Sequence, residues 1–187
     1  MKGQWCYFRS KLPKEYCDSL VKRSENIQYE DATIGVEGIV KDSSNRKTEV
    51  AWAFTHDYPD LHKDLWELCT IANNEWFGFH IDSLPYIQFA KYKSEKESFY
   101  NKHQDVFYLN NSPKHRKLTC VVQLTDPNEY EGGDLELFEC DSYPDKNEIR
   151  EQGTVIIFPS FIYHAVTPIT KGIRYSAVAW FEGPNWR

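Results

Sequence analysis

The feature that most constrains this 187-residue chain is a change of hydrophobic period at Gly78. Before it, apolar residues recur every three or four positions. Leu61, Leu65, Leu68 and Ala72 predict a helix from about Pro59 to Glu75, and Pro13 ahead of Glu15, Tyr16, Leu20 and Val21 predicts a shorter helix ending near Asn26. After Gly78 the apolar runs become short. Tyr86–Tyr92, Leu118–Leu124, Asp134–Phe138, Gly153–Phe158 and Arg174–Phe181 read as strands, separated by the turn signals Asp126-Pro127, Gly132-Gly133 and Pro159-Ser160. Short strands without helices between them indicate an antiparallel sandwich or barrel. The expected fold class is therefore mainly β with flanking helices. A double-stranded β-helix (jelly roll) core is expected over about 85–184, with helical support over about 1–80, the whole forming one domain from 1 to 187.

Composition narrows what such a domain does. At 41% hydrophobic and 16% aromatic residues the chain is not disordered, and its length buries about two thirds of the unfolded surface. A net charge of −6 with scattered lysines and arginines leaves no basic footprint, so no nucleic-acid partner is expected. Five cysteines without a C-x-x-C pair suggest neither a disulfide framework nor a zinc ribbon, and fit a reducing compartment. No apolar leader and no run approaching about 18 apolar residues is present, so no membrane association is expected and a cytoplasmic location is. Neither repeats nor a linker are visible.

The chemistry-bearing signal is His103-Gln104-Asp105. On an extended strand, residues two apart share a face with Cα atoms about 6.6 Å apart, so both side chains can reach one ion. Two imidazoles and a carboxylate on one face of an octahedral ion leave positions open for oxygen activation by iron(II), and the missing third ligand must be a distant histidine. The motif alone is weak: six histidines and twelve aspartates give about 0.4 chance matches, and His80-Ile81-Asp82 is a second instance. A solvated strand-end pair is the bland alternative for either. His164 follows the apolar strand and turn Thr154 to Ser160, which puts it at the mouth of a sheet, although a core or surface histidine has the same pattern.

Arg174 lies ten residues beyond His164, and alternation gives Ser176 the same facing. A guanidinium is planar, permanently charged and matched to bidentate carboxylate binding, so Arg174 with Ser176 could hold the far end of a dicarboxylic acid. An edge-strand salt bridge is the ordinary alternative.

Taken in order, His103-Gln104-Asp105, Leu118-Thr119, Asp126 to Leu135, Phe158-Pro159-Ser160, His164 and Lys171 to Ser176 resemble the prolyl 4-hydroxylase-type 2-oxoglutarate/iron(II) oxygenases, closest to bacterial and phage PKHD-type members. The resemblance covers roughly Pro85 to Pro184. It implies that His103, Asp105 and His164 bind iron, that Arg174 pairs with the 5-carboxylate of 2-oxoglutarate, and that Ser176 assists it. It favours His103 over His80, placing His80 and Asp82 on a preceding strand. It further implies a cosubstrate contact for Tyr92, and substrate-entrance roles for Tyr100 and Trp180, positions that core packing explains as readily. Where animal members carry a tyrosine this chain has Gln123, an amide that can donate to a carboxylate. Asn45 to Trp52 resembles the arginine-bearing strand beside a substrate loop, which makes Arg46 a substrate-binding candidate.

The activity implied is 2-oxoglutarate-dependent hydroxylation of prolyl residues in a peptide or protein, releasing succinate and CO2, with Fe(II) as cofactor and ascorbate as reductant. For a phage protein the location would be the host cytoplasm. Three rivals stand beside it: a catalytically silent jelly-roll module that binds metal for structure or sensing, a cupin-like dioxygenase without cosubstrate, and an oxygenase acting on a non-prolyl substrate. Succinate release separates the first two from the rest. The oligomeric state has no signature in the sequence.

Overall fold

The computed structural model describes residues 1–34, 42–106, 108 and 112–186. In chain order these contain β1 (Cys6–Phe8), α1 (Lys14–Ser24), β2 (Glu30–Asp31), β3 (Arg46–Lys47), β4 (Glu49–Phe54), α2 (Pro59–Ala72), β5 (Tyr86–Lys93), β6 (Phe99–His103), β7 (Lys114–Gln123), β8 (Tyr130–Gly132), β9 (Leu135–Leu137), α3 (Lys146–Arg150), β10 (Val155–Pro159), β11 (His164–Val166) and β12 (Ile169–Pro184). The strands form two antiparallel sheets, as the jelly roll requires. The major sheet runs β1-β10-β7-β12-β5-β4-β2, with β8 added to the first part of β12, and the minor sheet runs β3-β6-β11-β9.

The change of period at Gly78 is a physical stop. Pro59 opens α2 at its first position, where a missing N–H costs nothing, and the helix runs into a wider π turn over Asn73–Phe77. Gly78 then turns the chain at φ 71. The Asn73 side chain accepts from the Phe79 N–H at 2.9 Å and donates to the Phe79 carbonyl at 2.8 Å, which fixes the exit direction.

Period 2 divides the major sheet into two chemically different faces. Ile87 and Phe89 on β5, Leu118, Cys120 and Val122 on β7, and Ala177, Ala179 and Phe181 on β12 point outward and pack with Cys17 and Leu20 of α1 and Leu61, Leu65 and Leu68 of α2. All of these sheet residues are fully buried, and burying a side chain of Leu, Ile, Val or Phe size contributes about 1.5–3 kcal/mol. The intervening residues, Gln88, Ala90 and Tyr92 on β5 and Arg174, Ser176, Val178 and Trp180 on β12, face the minor sheet across a cavity of about 410 Å³.

One turn behind this cavity depends on glycine. Gly132 and Gly133 adopt φ 73 and 64, and a Cβ on Gly132 would lie 2.2 Å from the Pro168 carbonyl oxygen. This close approach lets β8 lie against β12 beside Arg174.

Three features differ from the sequence reading. The first 80 residues are not only helical support: β1 and β4 join the major sheet and β3 the minor one. These strands are short, and in β4 the outward residues are Ala51 and Ala53, too small to mark a strand by hydrophobicity. His80 and Asp82 lie on a loop rather than a strand, joined to β12 only through backbone hydrogen bonds around Ser83 and Glu182. The short helix α3 interrupts the strands and is capped by Asp145, whose carboxylate accepts from the N–H groups of Asn147 and Glu148. Among the described residues no helix is long and apolar enough to cross a membrane.

Candidate active site

Cross-strand register brings the three candidate ligands together. His103 ends β6 and His164 begins β11, and the two are directly paired in the minor sheet. Asp105 follows His103 by two residues but lies just past the end of β6, in a bend rather than on the strand the spacing argument assumed. The Asp105 carboxylate lies 3.6 Å from His103 Nε2 and 3.3 Å from His164 Nε2. One ligand atom from each residue falls within 4.8 Å of the other two, a spacing at which a single ion can be shared.

The groups behind these side chains orient them. His103 Nδ1 donates to the Asn101 carbonyl at 2.7 Å, and His164 Nδ1 donates to the Ile162 carbonyl at 3.0 Å. A carbonyl can only accept, so each Nδ1 carries the proton and each Nε2 presents a lone pair to the shared centre. Asp105 accepts from Thr119 Oγ1 at 2.8 Å, Thr119 meets Ser160 Oγ at 3.1 Å, and the Asp105 N–H donates to the Ser160 carbonyl at 2.9 Å. Burial, and then the neighbouring His164, push the His103 imidazole below its ordinary value. Burial works against the Asp105 charge, but the attraction and hydrogen bonds of His164 and His103 together hold its carboxyl well below the usual range. A neutral imidazole and an ionised carboxylate are the forms that ligate metal.

On the opposite wall stands Arg174, only 1% exposed. Its Nε and Nη2 donate to Gln123 Oε1 at 3.2 and 2.8 Å, and its Nη1 is buried without a partner. The Tyr92 ring lies 5.2 Å from the guanidinium. A permanent cation taken out of water is expensive unless it meets an anion, yet here it meets a neutral amide and a π face. The orphaned N–H group fits a carboxylate belonging to a ligand. Ser176 lines the cavity two residues further along β12, whereas Gln123 acts through Arg174 and does not line the cavity. Lys91 and Lys171, the other cations near this wall, are directed to Glu25 and Glu131.

The remaining expected residues form the mouth. Tyr100 stacks on His103 with ring centroids 3.5 Å apart, and the Arg46 guanidinium lies 4.4 Å from the Tyr100 ring centroid. Trp180 lines the cavity with the Arg116 guanidinium 3.9 Å above its ring. Sequence reasoning missed Gln88, Arg116 and Trp52, which also line it. For Gln88 a signal was present: a lone amide in the apolar run Tyr86 to Ala90, at the parity of Tyr92. The segment 35–41, next to the expected substrate loop, lies outside the described residues. His80 and Asp82 are exposed and remote from this constellation, and Asp82 pairs with Lys114 at 2.7 Å.

Comparison with known proteins agrees with this geometry. A family model described as the 2OG-Fe(II) oxygenase superfamily matches residues 87–182. A PKHD-type hydroxylase of Synechococcus sp. (strain CC9311) is 42% identical over 91 residues, covering 48% of this chain and 39% of that protein. One from Prochlorococcus marinus is 35% identical over 96 residues, covering 50% and 41%. The chain thus matches about two fifths of the length of these relatives. A Pseudomonas putida prolyl-4-hydroxylase superposes with a TM-score of 0.72 at 20% identity, over 97% of this chain and 94% of that one. A Trichoplax adhaerens prolyl hydroxylase, solved with a hypoxia-inducible factor peptide fragment, gives 0.75 at 17% identity, over 96% and 83%. At such identities the superpositions speak for the jelly-roll fold, and the family match speaks for descent: the chain belongs to the 2OG-Fe(II) oxygenase superfamily.

Proposed function

We propose that this chain is a 2-oxoglutarate- and iron(II)-dependent dioxygenase that hydroxylates prolyl residues in a peptide or protein, with succinate and CO2 as coproducts. The observation that carries this reading is one cavity holding both a His-Asp-His donor set and a buried guanidinium that lacks an anion. His103 and His164 would hold iron(II) through Nε2, and Asp105 through a carboxylate oxygen. Arg174 would take the far carboxylate of 2-oxoglutarate, with Ser176 and Tyr92 beside it and Gln123 keeping the guanidinium in place. When bound, metal and cosubstrate together supply oxygen activation. What the protein contributes is placement. Backbone carbonyls hold both imidazoles in one tautomer, Thr119 holds the Asp105 carboxylate, and β12 carries Arg174 on the same cavity as all three. Tyr100, Trp180 and Arg46 line the side left for substrate.

The prolyl assignment draws on relatives named as hydroxylases and on a neighbour solved with a peptide. It also draws on Trp52 and Trp180, which line the cavity and pack on each other with ring centroids 5.9 Å apart, an aromatic surface that suits a compact apolar ring. The whole of 1–187 is read as one catalytic unit. Ascorbate as reductant rests on the resemblance alone.

The decisive experiment combines iron analysis, succinate release and mass spectrometry of a peptide library for the gain of one oxygen. His103→Ala and His164→Ala should each lose iron and turnover. Wild-type iron content in both variants would remove the ligand assignment, and succinate formation with no oxidised peptide would remove the prolyl one.

A further inference from the structure

Arg174 has a counterpart across the cavity. Arg46, on β3, donates from Nη2 to Gln88 Oε1 at 2.9 Å, spanning from the minor sheet to the major one. Its Nε is buried without a partner. So two guanidiniums, on opposite walls, each hold a neutral glutamine side chain and each keep a buried N–H group unsatisfied. The two differ in depth, Arg174 being 1% exposed and Arg46 half-buried with the Tyr100 face against it, but a π face does not satisfy the buried Nε–H of Arg46.

Charge balance separates their roles. The chain carries a net charge of −6, which by itself disfavours an anionic ligand. Yet among the described residues lining the cavity the one carboxylate is Asp105, against Arg46, Arg116 and Arg174. Arg116 faces Glu182 in strand register; burial pushes the Glu182 carboxyl up, and the charge of Arg116 opposes that shift. An iron(II) ion, the Asp105 carboxylate, a dicarboxylate cosubstrate and Arg174 together sum to zero. Arg46 is left over. The stack of Arg46 on Tyr100, and of Tyr100 on His103, places this surplus cation one aromatic ring from the proposed metal ligands. A group held there would therefore be fixed close to the reacting position.

Resting on the oxygenase reading above, we infer that the primary substrate presents a carboxylate to Arg46, from an acidic side chain or a chain terminus next to the hydroxylated residue. A planar guanidinium with a free N–H edge is matched to a carboxylate and poorly matched to a neutral peptide group. Gln88 acts as a positioning residue that holds the fork open toward the cavity.

Three proline-containing peptides of equal length test this: one with glutamate beside the proline, one neutral with its free carboxyl terminus beside the proline, and one neutral and amidated. Each is titrated anaerobically into the full chain loaded with manganese(II) and 2-oxoglutarate. At least one carboxylate-bearing peptide should bind wild type roughly ten-fold more tightly than the amidated one, as expected for a hydrogen bond to a charged group. Which of the two it is identifies the source of the carboxylate. Arg46→Gln should erase the difference with manganese stoichiometry and 2-oxoglutarate affinity retained, and Arg46→Lys should keep part of it, retaining charge without the fork. Equal binding of all three peptides to wild type, including no binding by any, overturns the inference, as does a preference that survives in Arg46→Gln. Failure of wild type to bind manganese or 2-oxoglutarate overturns the oxygenase reading and this inference with it, and is seen before any peptide is added.

Discussion

The two faces of the major sheet are built from the same strands and differ in almost everything else. Outward, Ile87, Phe89, Leu118, Cys120, Val122, Ala177, Ala179 and Phe181 have no exposure and belong to one apolar cluster with α1 and α2. Inward, one residue away along each strand, Gln88, Thr119, Gln123, Arg174 and Ser176 are nearly as buried, at 3% exposure or less, but polar. Buried polar groups in a protein interior are normally satisfied. On the outer face the question does not arise, and on the inner face it is answered incompletely, with Arg174 Nη1 and Trp180 Nε1 left without partners. The difference teaches that depth of burial does not separate structure from function here. What marks the inner face is a buried permanent charge that meets a neutral amide instead of an anion, as at Arg174.

If the outer face carries stability and the inner face ligand binding, single substitutions on one strand should separate the two properties. The largest effect is expected from Phe89→Ala, which empties a fully buried site against Tyr58 and α2. A loss of about 3–5 kcal/mol is expected by denaturant unfolding, with metal and 2-oxoglutarate affinity of the remaining folded fraction unchanged. A stable Phe89→Ala protein with impaired ligand binding would blur the comparison at once.

Next in size is Arg174→Ala on the inner face. Removing hydrogen bonds to a charged group costs about 1.5–3 kcal/mol, or roughly ten- to 150-fold in 2-oxoglutarate affinity. The thermal midpoint of the ligand-free protein should move far less than in Phe89→Ala, because a buried, anion-free cation is itself unfavourable. Arg174→Lys keeps the charge without the fork and should weaken cosubstrate binding with iron binding preserved. Anaerobic iron(II) and 2-oxoglutarate titrations read the two affinities and a thermal melt the midpoint, and wild-type 2-oxoglutarate affinity in the alanine variant would place the anchor elsewhere.

Thr119→Val sharpens the comparison because it conserves shape while deleting the hydroxyl that donates to Asp105. Loss of such a supporting group behind a ligand lowers metal affinity by roughly ten- to 100-fold, so competition with a chelator should show weaker iron retention without a matching loss of fold stability. Iron retention equal to wild type would mean that His103, His164 and the backbone suffice to hold the carboxylate. The smallest effect is expected from His80→Ala. His80 is exposed on a loop away from both faces, so iron content, turnover and unfolding midpoint should all match wild type. Loss of metal in a folded His80→Ala protein would show that the wrong H-x-D pair has been chosen.

Legibility followed locality. The stop at Gly78, α2 and the five strands of the second half were readable because period and turn chemistry are local properties of a segment. Elements that were missed, among them β1, β2, β8, β11 and α3, are two to five residues long and too short to carry a period. The spacing of His103 and Asp105 predicted that the two side chains meet, and they do, at 3.6 Å, although Asp105 lies in a bend past the end of β6 and not on a shared strand face. Spacing could not bring in His164, sixty-one residues later, because that meeting depends on β11 pairing with β6 in the register His164 to His103. Its place after the apolar strand Thr154 to Ser160 made it a candidate, and the resemblance selected it.

What the sequence determined by itself was the inventory and its parity: which residues could ligate a metal, which cation was unusual, and which side of each strand they shared. The tertiary structure alone decided which of these groups were left unpaired. Gln123 and Arg174 are fifty-one residues apart, and Gln88 and Arg46 forty-two. Whether a guanidinium finds an anion or a neutral amide is set by what the opposing strand or sheet presents at that height. Hydrogen-bond satisfaction is a property of the packed interior, created only when distant segments exclude water together, and so no reading of one strand at a time contains it.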